Sequence, residues 1–291
     1  MKIAVLGASG NTGLLVVPAL VAAGHEVSAI SRDPERQPPA GDGVRAMVAD
    51  LDRPETLAPT LAGAEVVVSL AYGRYFDVVR THLPPTCRRW VSVGSLRDPT
   101  WLLPADAAGL ERGRALAAAP ATEGTPELVW LDPAMIYGAP KDQTVGRLLG
   151  LIARWPRFLP VVVPLPVRTR ARLQPVFVDD MVAALVAAVD SPTAPGPAIA
   201  VAGPEPLSYA AMVRGCAQSL GRRACVVPVP RRLLAAAVRL AARARLLTPV
   251  SADELARMGG DKTTDISALT SRLGVTPRPF AEGVRLKVAR G

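Results

Sequence analysis

Short apolar runs rich in β-branched residues alternate with segments of helical periodicity along the first half of the chain. The predicted strands are 2–6, 26–30, 44–48, 65–70, 88–93 and 127–132. The predicted helices lie near 11–23, 54–62, 75–83, 106–119 and 142–154. This alternation is typical of a parallel sheet covered by helices on both faces. We therefore predict a doubly wound α/β sheet that binds ligands at the carboxyl ends of its strands.

The regular alternation ends after Leu131, and a smaller, mostly helical C-terminal part follows. The intervening features are a Pro-rich stretch at 156–166, a basic segment at 168–172, a strand at 173–178, a helix at 179–189 and a strand at 197–201. The later predicted elements are helices at 208–220, 231–246, 251–257 and 266–273, a strand near 224–227 and a mobile loop at 259–264. We predict a nucleotide-binding domain over 1–132, to which 173–203 return, and a substrate region over 133–172 and 204–291.

Composition excludes several classes of protein. The 291 residues are 49% hydrophobic and 20% charged, which is enough to bury a large core. Three cysteines without a CxxC pair indicate reduced thiols and a cytoplasmic protein. Two distant histidines provide little for a zinc site or a serine-hydrolase triad, so no metal is expected. The apolar run after Lys2 ends at Gly7, which does not fit a signal peptide, and the apolar residues 14–23 contain Pro18 and are too few for a transmembrane helix.

The net charge is +9, and arginine supplies most of the cations. Such a charge is compatible with nucleic acids, membrane surfaces or anionic ligands. Because the arginines are scattered and no nucleic-acid module is recognisable, we interpret the excess as compositional bias and expect no nucleic-acid partner.

A glycine-rich string between the first predicted strand and helix carries the strongest chemical signal. It contains Gly7, Ser9, Gly10, Asn11, Thr12 and Gly13 in the spacing GxxGxxG. Gly7 permits a tight turn, Gly10 lets backbone N–H groups approach a pyrophosphate, and Gly13 allows close helix–strand packing. A helix N-terminus then attracts the negative charge. This string predicts a dinucleotide-binding site.

The residues at the end of the second predicted strand indicate whether NADP(H) or NAD(H) is bound. The strand ends in Ser31 and Arg32, without the acid that would accept a hydrogen bond from the adenosine ribose. Arg32, with Arg36 as a second contact, favours the 2′-phosphate of NADP(H) over NAD(H). In the alternative interpretation, Arg32 is a solvated loop cation and Asp33 binds the ribose.

Further strings occur at the ends of other predicted strands. They are Asp50-Leu51-Asp52, 68–71, 90–95, 132–138, 174–180 and 202–208. Together with the glycines they resemble the extended or atypical short-chain dehydrogenase/reductase superfamily, of the epimerase/dehydratase-like or NmrA-like kind, over nearly the whole chain. The resemblance implies a Rossmann fold and a cofactor site that continues along these strings. Its implied contacts are Asp50 and Leu51 at the adenine, Ser69, Leu70 and Ala71 along the cofactor, and Pro133, Met135 and Ile136 at the nicotinamide.

The sequence departs from that superfamily where catalysis is expected. The helix after the fifth strand lacks the usual tyrosine and lysine of YxxxK. A literal match from Tyr137 to Lys141 falls in a loop with Pro140 inside it, and we interpret it as a chance match. Asp132 and Phe177 also replace an arginine and a histidine that are common in the family. Ser95 matches the position of the catalytic Ser/Thr, although it could equally cap a strand end. Tyr75 is a weaker candidate acid, and it could instead cover the cofactor.

The segment 231–247 predicts a helix with arginines along one edge. Such a helix can lie on an anionic membrane, so peripheral contact is possible, but a lid over an apolar substrate pocket is favoured. We therefore expect an NADP(H)-dependent oxidoreductase acting on a carbonyl or activated double bond of a small apolar or amphipathic molecule. The alternatives are a non-catalytic NADP(H)-binding sensor or assembly protein and a nucleotide-sugar epimerase/dehydratase-like enzyme. The segment 168–172 keeps the last one open, because a sugar nucleotide needs cations for its second pyrophosphate.

Overall fold

The computed structural model describes residues 1–36, 38, 40–97, 100, 102–120, 122–167, 171–243 and 263–290. The chain divides into two compact units. Unit 1 comprises Met1–Ala134, Val178–Val201 and Asp265–Thr276, and unit 2 comprises Met135–Phe177, Ala202–Thr264 and Pro277–Gly291. The sequence analysis assigns all of 204–291 to the substrate region, whereas the structure groups 265–276 with unit 1.

The elements are numbered along the chain. The strands are β1 (Lys2–Leu6), β2 (Glu26–Ser31), β3 (Val44–Val48), β4 (Val66–Ser69), β5 (Arg89–Val93), β6 (Glu127–Pro133), β7 (Ile136–Tyr137), β8 (Val161–Pro166), β9 (Arg172–Leu173), β10 (Val176–Phe177), β11 (Ile199–Val201), β12 (Leu207–Ser208) and β13 (Ala224–Val229). The α-helices are α1 (Gly13–Ala22), α2 (Leu57–Leu61), α3 (Phe76–Thr81), α4 (Pro104–Ala118), α5 (Val145–Arg154), α6 (Val178–Asp190), α7 (Tyr209–Ser219), α8 (Arg231–Arg243), α9 (Ser267–Leu273) and α10 (Phe280–Ala289). Short 3-10 helices form at Pro34–Arg36, Pro54–Thr56 and Gly73–Tyr75.

Unit 1 contains a seven-stranded parallel sheet in the order β11-β6-β5-β4-β1-β2-β3. All four residues of the central strand β4 are buried, which explains its run of three valines before Ser69. Leu6 at the end of β1 lies opposite Ile30 of β2 and Ser69 of β4. The chain order reverses between β1 and β4, so a crevice opens at their carboxyl ends. The predicted doubly wound sheet is confirmed.

Close backbone contact and aromatic packing fix the position of α4 within unit 1. A Cβ atom on Gly109 of α4 would lie 1.8 Å from the carbonyl oxygen of Gly73, so this contact needs glycine. Beneath the helix, the ring of Phe76 stacks on Trp90 at 5.1 Å and meets Trp130 edge-on at 5.7 Å between centroids. The helix that follows β5 is therefore held against the 3-10 helix that follows β4.

Unit 2 contains three two-stranded sheets and the helices that pack on them. The pairs are β7 with β10, β8 with β13, and β9 with β12. Its core includes Tyr137, Phe177 and Phe280; the Tyr137 centroid lies 5.4 Å from Phe177 and 5.1 Å from Phe280. The Tyr137 hydroxyl donates to the carbonyl oxygen of Phe280 at 3.3 Å. The tyrosine of the literal YxxxK string and the phenylalanine that replaces a family histidine are thus both core residues.

Sequence reasoning missed or misplaced several elements of unit 2. The Pro-rich stretch contains β8, because the strand belongs to a two-stranded sheet in which prolines without an N–H group are tolerated. The predicted strand 173–178 is two short strands, since Pro175 cannot donate and the Gln174 side chain instead donates to the carbonyl of Gly203 at 2.7 Å. The terminal helix α10 was not predicted. Residues 168–170, 244–246, 251–257 and 259–262 of other predicted elements lie outside the described residues.

Candidate functional site

Gly7, Gly10 and Gly13 form the turn from β1 into α1, at the carboxyl edge of the sheet. Gly7 has a φ of 84°, and the N–H groups of Gly7 and Ala8 both donate to the carbonyl of Ile30, at 3.0 and 3.1 Å. A Cβ atom on Gly13 would lie 2.4 Å from the carbonyl oxygen of Gly7. Only glycine lets the helix begin this close to the strand. The crevice is therefore lined by backbone rather than by side chains.

The first turn of α1 is suited to an anion. Thr12 is the N-cap residue, its side chain makes no capping hydrogen bond, and the first turn contains no acidic residue. The backbone N–H groups and the positive end of the helix dipole attract phosphate at such a position. Ser9 and Thr12 are half-buried and Asn11 is exposed in the same turn. These residues fit the diphosphate of a dinucleotide.

The two arginines that follow β2, Arg32 and Arg36, differ in their partners. Arg32 is exposed and has no hydrogen bond or ion pair with any residue that the structure describes. Asp33 accepts the N–H of Glu35 at 3.0 Å and lies 3.7 Å from Nε of Arg36. The buried Ser31 hydroxyl donates to the Asp33 carbonyl at 3.1 Å. The acid beside Arg32 thus caps its own 3-10 helix and pairs with Arg36.

Asp50 and Leu51 lie in a well-ordered turn after β3, and both are half-buried. The N–H of Asp50 donates to the Thr56 hydroxyl at 2.9 Å, and its carboxylate accepts the N–H of Asp52 at 3.1 Å. Asp52 in turn accepts the hydroxyl of Tyr75 at 2.8 Å. The structure therefore places the Tyr75 phenol against the turn after β3, where it already has an acceptor. This hydrogen bond argues against a role for Tyr75 as a catalytic acid. That role stays an untested prediction.

Residues after β4 complete the lining of the crevice. Ser69 is buried, and the N–H of Leu70 donates to the carbonyl of Leu6 at 3.0 Å. A Cβ atom added to Gly7 would lie 3.4 Å from the Leu70 Cβ, so Leu70 lies beside the glycine turn. Ala71 is half-buried, and contact of Ser69, Leu70 and Ala71 with a cofactor stays a prediction.

Ser95, after β5, belongs to a network that includes a buried acid. Its N–H donates to Asp132 at 2.9 Å, and its carbonyl accepts Nη2 of Arg114 at 2.6 Å. Asp132 is 3% exposed and also accepts Nε of Arg114 at 2.6 Å and Nε1 of Trp130 at 2.9 Å. The Ser95 hydroxyl accepts the N–H of Arg97 at 3.1 Å and donates to no described atom. The network fixes the backbone of Ser95 and leaves its O–H available to a ligand.

Arg74 links the 3-10 helix after β4 to α4. Its N–H donates to the carboxylate of the buried Asp106 at 3.1 Å, and its guanidinium donates to the same carboxylate at 3.2 Å. Its charge also lies over the rings of Tyr72 and Tyr75, at 4.9 and 5.0 Å from their centroids. The Tyr75 side chain is the main cause that raises the pKa of Arg74; desolvation opposes it and Asp106 adds to it. Arg74 therefore stays charged at any physiological pH.

The predicted nicotinamide residues fall in both units. Pro133 ends β6 in unit 1, where its carbonyl accepts the N–H of Leu96 at 3.0 Å. Met135 and Ile136 belong to unit 2, where the Met135 carbonyl accepts the N–H of Val176 at 3.0 Å. Their contact with a cofactor stays a prediction.

Two ion pairs escaped the sequence analysis. Arg114 and Asp132 are far apart in the chain, as are Arg74 and Asp106, and no local string links them. The available signals were an acid directly before Pro133 and charged residues on an otherwise Ala-rich helix. Among the described residues, no group of three or more acidic, cysteine or histidine side chains could hold a metal ion. No described helix is long and apolar enough to cross a membrane.

Comparison with known proteins agrees with this geometry. Residues 7–97 match a family model described as NAD(P)H-binding. A short-chain dehydrogenase/reductase superfamily protein from Agrobacterium tumefaciens with bound NAD is 18% identical, with a TM-score of 0.66 over 100% of this chain and 97% of that one. The UDP-N-acetylglucosamine 4-epimerase of Bacillus cereus is 14% identical, with a TM-score of 0.68 over 100% of both chains. An NADPH-dependent quinone oxidoreductase from Escherichia coli is 17% identical, with a TM-score of 0.70 over 97% of this chain and 98% of that one.

The chain has the Rossmann-like α/β fold of these proteins, and its residues 7–97 match the NAD(P)H-binding family. The resemblance drawn from the strand-end strings is confirmed at the level of the fold. Proteins of this fold among those compared are enzymes, and they include both an oxidoreductase and a nucleotide-sugar epimerase. The likeness to them is in fold and does not by itself select a substrate.

Proposed function

We propose that the protein is an NADP(H)-dependent oxidoreductase that reduces or oxidises a carbonyl or an activated double bond of a mainly apolar small molecule. The observation that carries the proposal is the unpaired Arg32 at the carboxyl end of β2. A cation at this position accommodates the 2′-phosphate of NADP(H). A charge-assisted hydrogen bond to phosphate also has no competitor there among the described residues, because Asp33 is used by Glu35 and Arg36.

Ser95 is the proposed hydrogen-bond donor to the reacting oxygen. A bound nicotinamide would supply or accept the hydride. Asp132 and Arg114 would act as positioning residues, since they hold the N–H and the carbonyl of Ser95 and so fix the direction of its hydroxyl. A fixed donor stabilises negative charge that develops on a carbonyl oxygen without a cost of reorganisation.

The absence of a tyrosine and a lysine in the sequence of α4 restricts the substrate. A general acid contributes roughly 10²–10⁴-fold to such reactions, and a serine is a poor acid at neutral pH. The proposed substrates are therefore conjugated acceptors such as enones, whose anion is stabilised by delocalisation. For such a substrate a hydrogen bond from Ser95 suffices, and the proton can arrive from solvent.

The test measures deuterium transfer from 4-deuterated NADPH to a panel of enones and ketones. We expect label in at least one conjugated acceptor, and a loss of about 10²-fold in kcat in Ser95→Ala. Ser219→Ala is the matched control, because its hydroxyl donates to the Cys216 carbonyl within α7 of unit 2. Full turnover in Ser95→Ala would remove Ser95 from the mechanism. Tight NADPH binding without label in any acceptor would favour the non-catalytic sensor.

A nucleotide-sugar epimerase/dehydratase-like activity is the second candidate. The favouring observations are the epimerase fold match and the many cations of unit 2, which carries 21 of the chain's 34 Lys and Arg residues. A thermal-shift screen separates the two candidates, because a ligand raises the melting temperature according to its affinity. Stabilisation by UDP-sugars and by no terpenoid, lipid or polyketide would replace the first candidate with the second.

A further inference from the structure

The two units carry opposite net charges. Unit 2 contains 21 Lys and Arg against 6 Asp and Glu, a net charge of +15, whereas unit 1 contains 13 against 19, a net charge of −6. A uniform enrichment in arginine would not produce opposite signs in two parts of one chain. The excess of cations is therefore a property of unit 2.

The acids of unit 2 are also absent from the segments that build one of its faces. No Asp or Glu occurs in the sequence between Asp142 and Asp179 or between Glu205 and Asp253. These two stretches supply α5, β8, α7, β13 and α8. Along these two stretches of sequence, arginines therefore occur without carboxylates between them.

A loop between α5 and β8 carries the most exposed large apolar side chain that the structure describes. Phe158 is 85% exposed and Leu159 46% exposed, beside the exposed Arg157. Arg222 ties the loop together, because it donates to the carbonyls of Ile152, Trp155, Pro156 and Leu159 at 2.6–3.1 Å. Four such hydrogen bonds hold the loop so that Phe158 and Leu159 extend into solvent.

The sheet that starts at this loop continues the apolar surface. Val161, Val163 and Leu165 of β8 are buried, so the alternate residue Val162 faces outward and is 39% exposed. On β13 the outward residues are Cys225, opposite Val162, and Val227, which is 38% exposed. The exposed Arg223 precedes Cys225 by two residues, and its carbonyl accepts the N–H of Val161. We call Arg157, Phe158, Leu159, Val162, Arg223 and Val227 the basic apolar face.

We propose that the basic apolar face docks on the surface of an anionic lipid bilayer. Cations attract the unit to anionic headgroups, and apolar side chains that protrude from an ordered loop gain free energy by entering the interface. The cations complement the anionic headgroups, and the apolar side chains complement the apolar part of the interface. Duplex nucleic acid would satisfy the arginines but would leave Phe158, Leu159 and the valines exposed to water. An acidic protein surface would need its own apolar patch. This inference does not depend on the proposed enzymatic activity.

The test measures partition of the full chain onto phosphatidylglycerol vesicles and onto phosphatidylcholine vesicles by sedimentation. We expect binding to the anionic vesicles alone, weakened by added salt. Arg157→Glu should weaken it about thirtyfold, because each unit of charge near an anionic surface changes binding about fivefold. Phe158→Ser should weaken it at least about tenfold through the lost apolar burial. Both positions are exposed, so folding of the variants is expected and is checked by circular dichroism.

Unit 1 offers matched controls. Arg80→Glu makes the same charge change at an exposed position of α3, and Leu103→Ser removes a side chain that is 61% exposed. Both should change partition less than about twofold, because they lie outside the basic apolar face. A dye that responds to polarity reports the face itself, since Cys225 is the exposed thiol whereas Cys87 and Cys216 are buried. Burial raises the pKa of those two thiols to about 11 and about 12, so they react slowly.

A blue shift of the dye on anionic vesicles, lost in both unit 2 variants and kept in both controls, supports the proposal. Equal binding to phosphatidylcholine, no binding to phosphatidylglycerol at low salt, or unchanged binding by Phe158→Ser would overturn it. Tighter binding to duplex DNA than to the vesicles would overturn it in favour of nucleic acid. NADPH binding and deuterium transfer are measured in the same preparations without lipid. Their outcome is independent of the vesicle measurements, so failure of the proposed function and failure of the membrane proposal can be distinguished.

Discussion

Unit 1 and unit 2 solve the problem of binding anions in different ways. Unit 1 has a net charge of −6, yet its crevice has a helix N-terminus without acids and Arg32, which has no partner among the described residues. Unit 2 has a net charge of +15 and spreads its cations over elements that also expose apolar side chains. The first arrangement is local and suits one diphosphate in one orientation. The second is diffuse and suits an extended surface.

The opposite charges of the two units also explain why the net charge of the whole chain did not indicate a binding partner. The value of +9 for the whole chain is the sum of two opposite charges, and the interpretation as compositional bias does not account for their separation. A dinucleotide site can form in an acidic unit because the groups within a few ångströms of the phosphates decide its affinity.

The largest expected effect contrasts the same substitution in the two units. Gly13→Ala should destabilise the protein by about 3 kcal/mol or more and abolish cofactor binding, because the new Cβ would lie 2.4 Å from a backbone oxygen. Gly150→Ala in α5 of unit 2 has no atom within 4 Å of the new Cβ, and it should stabilise the helix by about 0.5–1 kcal/mol. Urea unfolding of both variants measures the contrast. A Gly13→Ala protein with unchanged stability and NADPH binding would contradict the described turn.

A smaller effect distinguishes a buried acid of unit 1 from a buried aromatic residue of unit 2. Asp132→Ala should cost about 2 kcal/mol, less than the ~3–5 kcal/mol of a fully buried pair, because Arg114 is 35% exposed. Tyr137→Phe should cost less than about 1 kcal/mol, since it removes one hydrogen bond of 3.3 Å. Chemical denaturation gives both values. If Tyr137→Phe abolished turnover while stability stayed the same, its assignment as a core residue alone would be wrong.

A third contrast concerns pH, because each unit buries one cysteine. Burial raises the pKa of Cys87 in unit 1 to about 11 and that of Cys216 in unit 2 to about 12, from an ordinary value of 9.0. Above pH 9 the unfolded thiols lose protons that the folded ones keep, so their contribution to stability is complete below pH 9 and is lost as pH rises to about 11–12. The slope should approach about 1.4 kcal/mol per pH unit for each thiol.

The double variant Cys87→Ala, Cys216→Ala isolates the contribution of these two thiols from that of the rest of the chain. We expect its stability to fall less steeply above pH 9 than that of the unmodified protein. Parallel curves would show that neither thiol keeps a raised pKa.

The sheet of unit 1 was predictable because its strands have recognisable local sequence patterns. A buried parallel strand such as β4 is a continuous apolar run, and the glycine turn after β1 follows fixed steric rules. The strand β8 was not predictable, because Pro164 and Pro166 contradict the usual propensity and only the pairing with β13 makes them acceptable. Long-range pairing is not visible in a local pattern.

The candidate site divides in the same way. The positions of Gly7, Gly13 and Arg32 at strand ends and turns could be predicted from the sequence, whereas the role of Arg32 stays a prediction. The Arg114–Asp132 pair could not, because it joins a helix to a strand that lies beyond it in the chain. Tyr75 was a weaker candidate for the catalytic acid; its hydroxyl donates to Asp52 at 2.8 Å, a contact that only the packing of the two turns reveals.

The measurement that tests the central claim most directly is calorimetric titration of the protein with NADP⁺ and NAD⁺. The account predicts tighter binding of NADP⁺ and a loss of about 1–3 kcal/mol of that affinity in Arg32→Ala, with little change for NAD⁺. Arg45→Ala, the same change at another exposed arginine of unit 1, is the control and should leave both affinities unaltered. Equal affinities of the unmodified protein for the two cofactors would contradict the claim that Arg32 binds the 2′-phosphate.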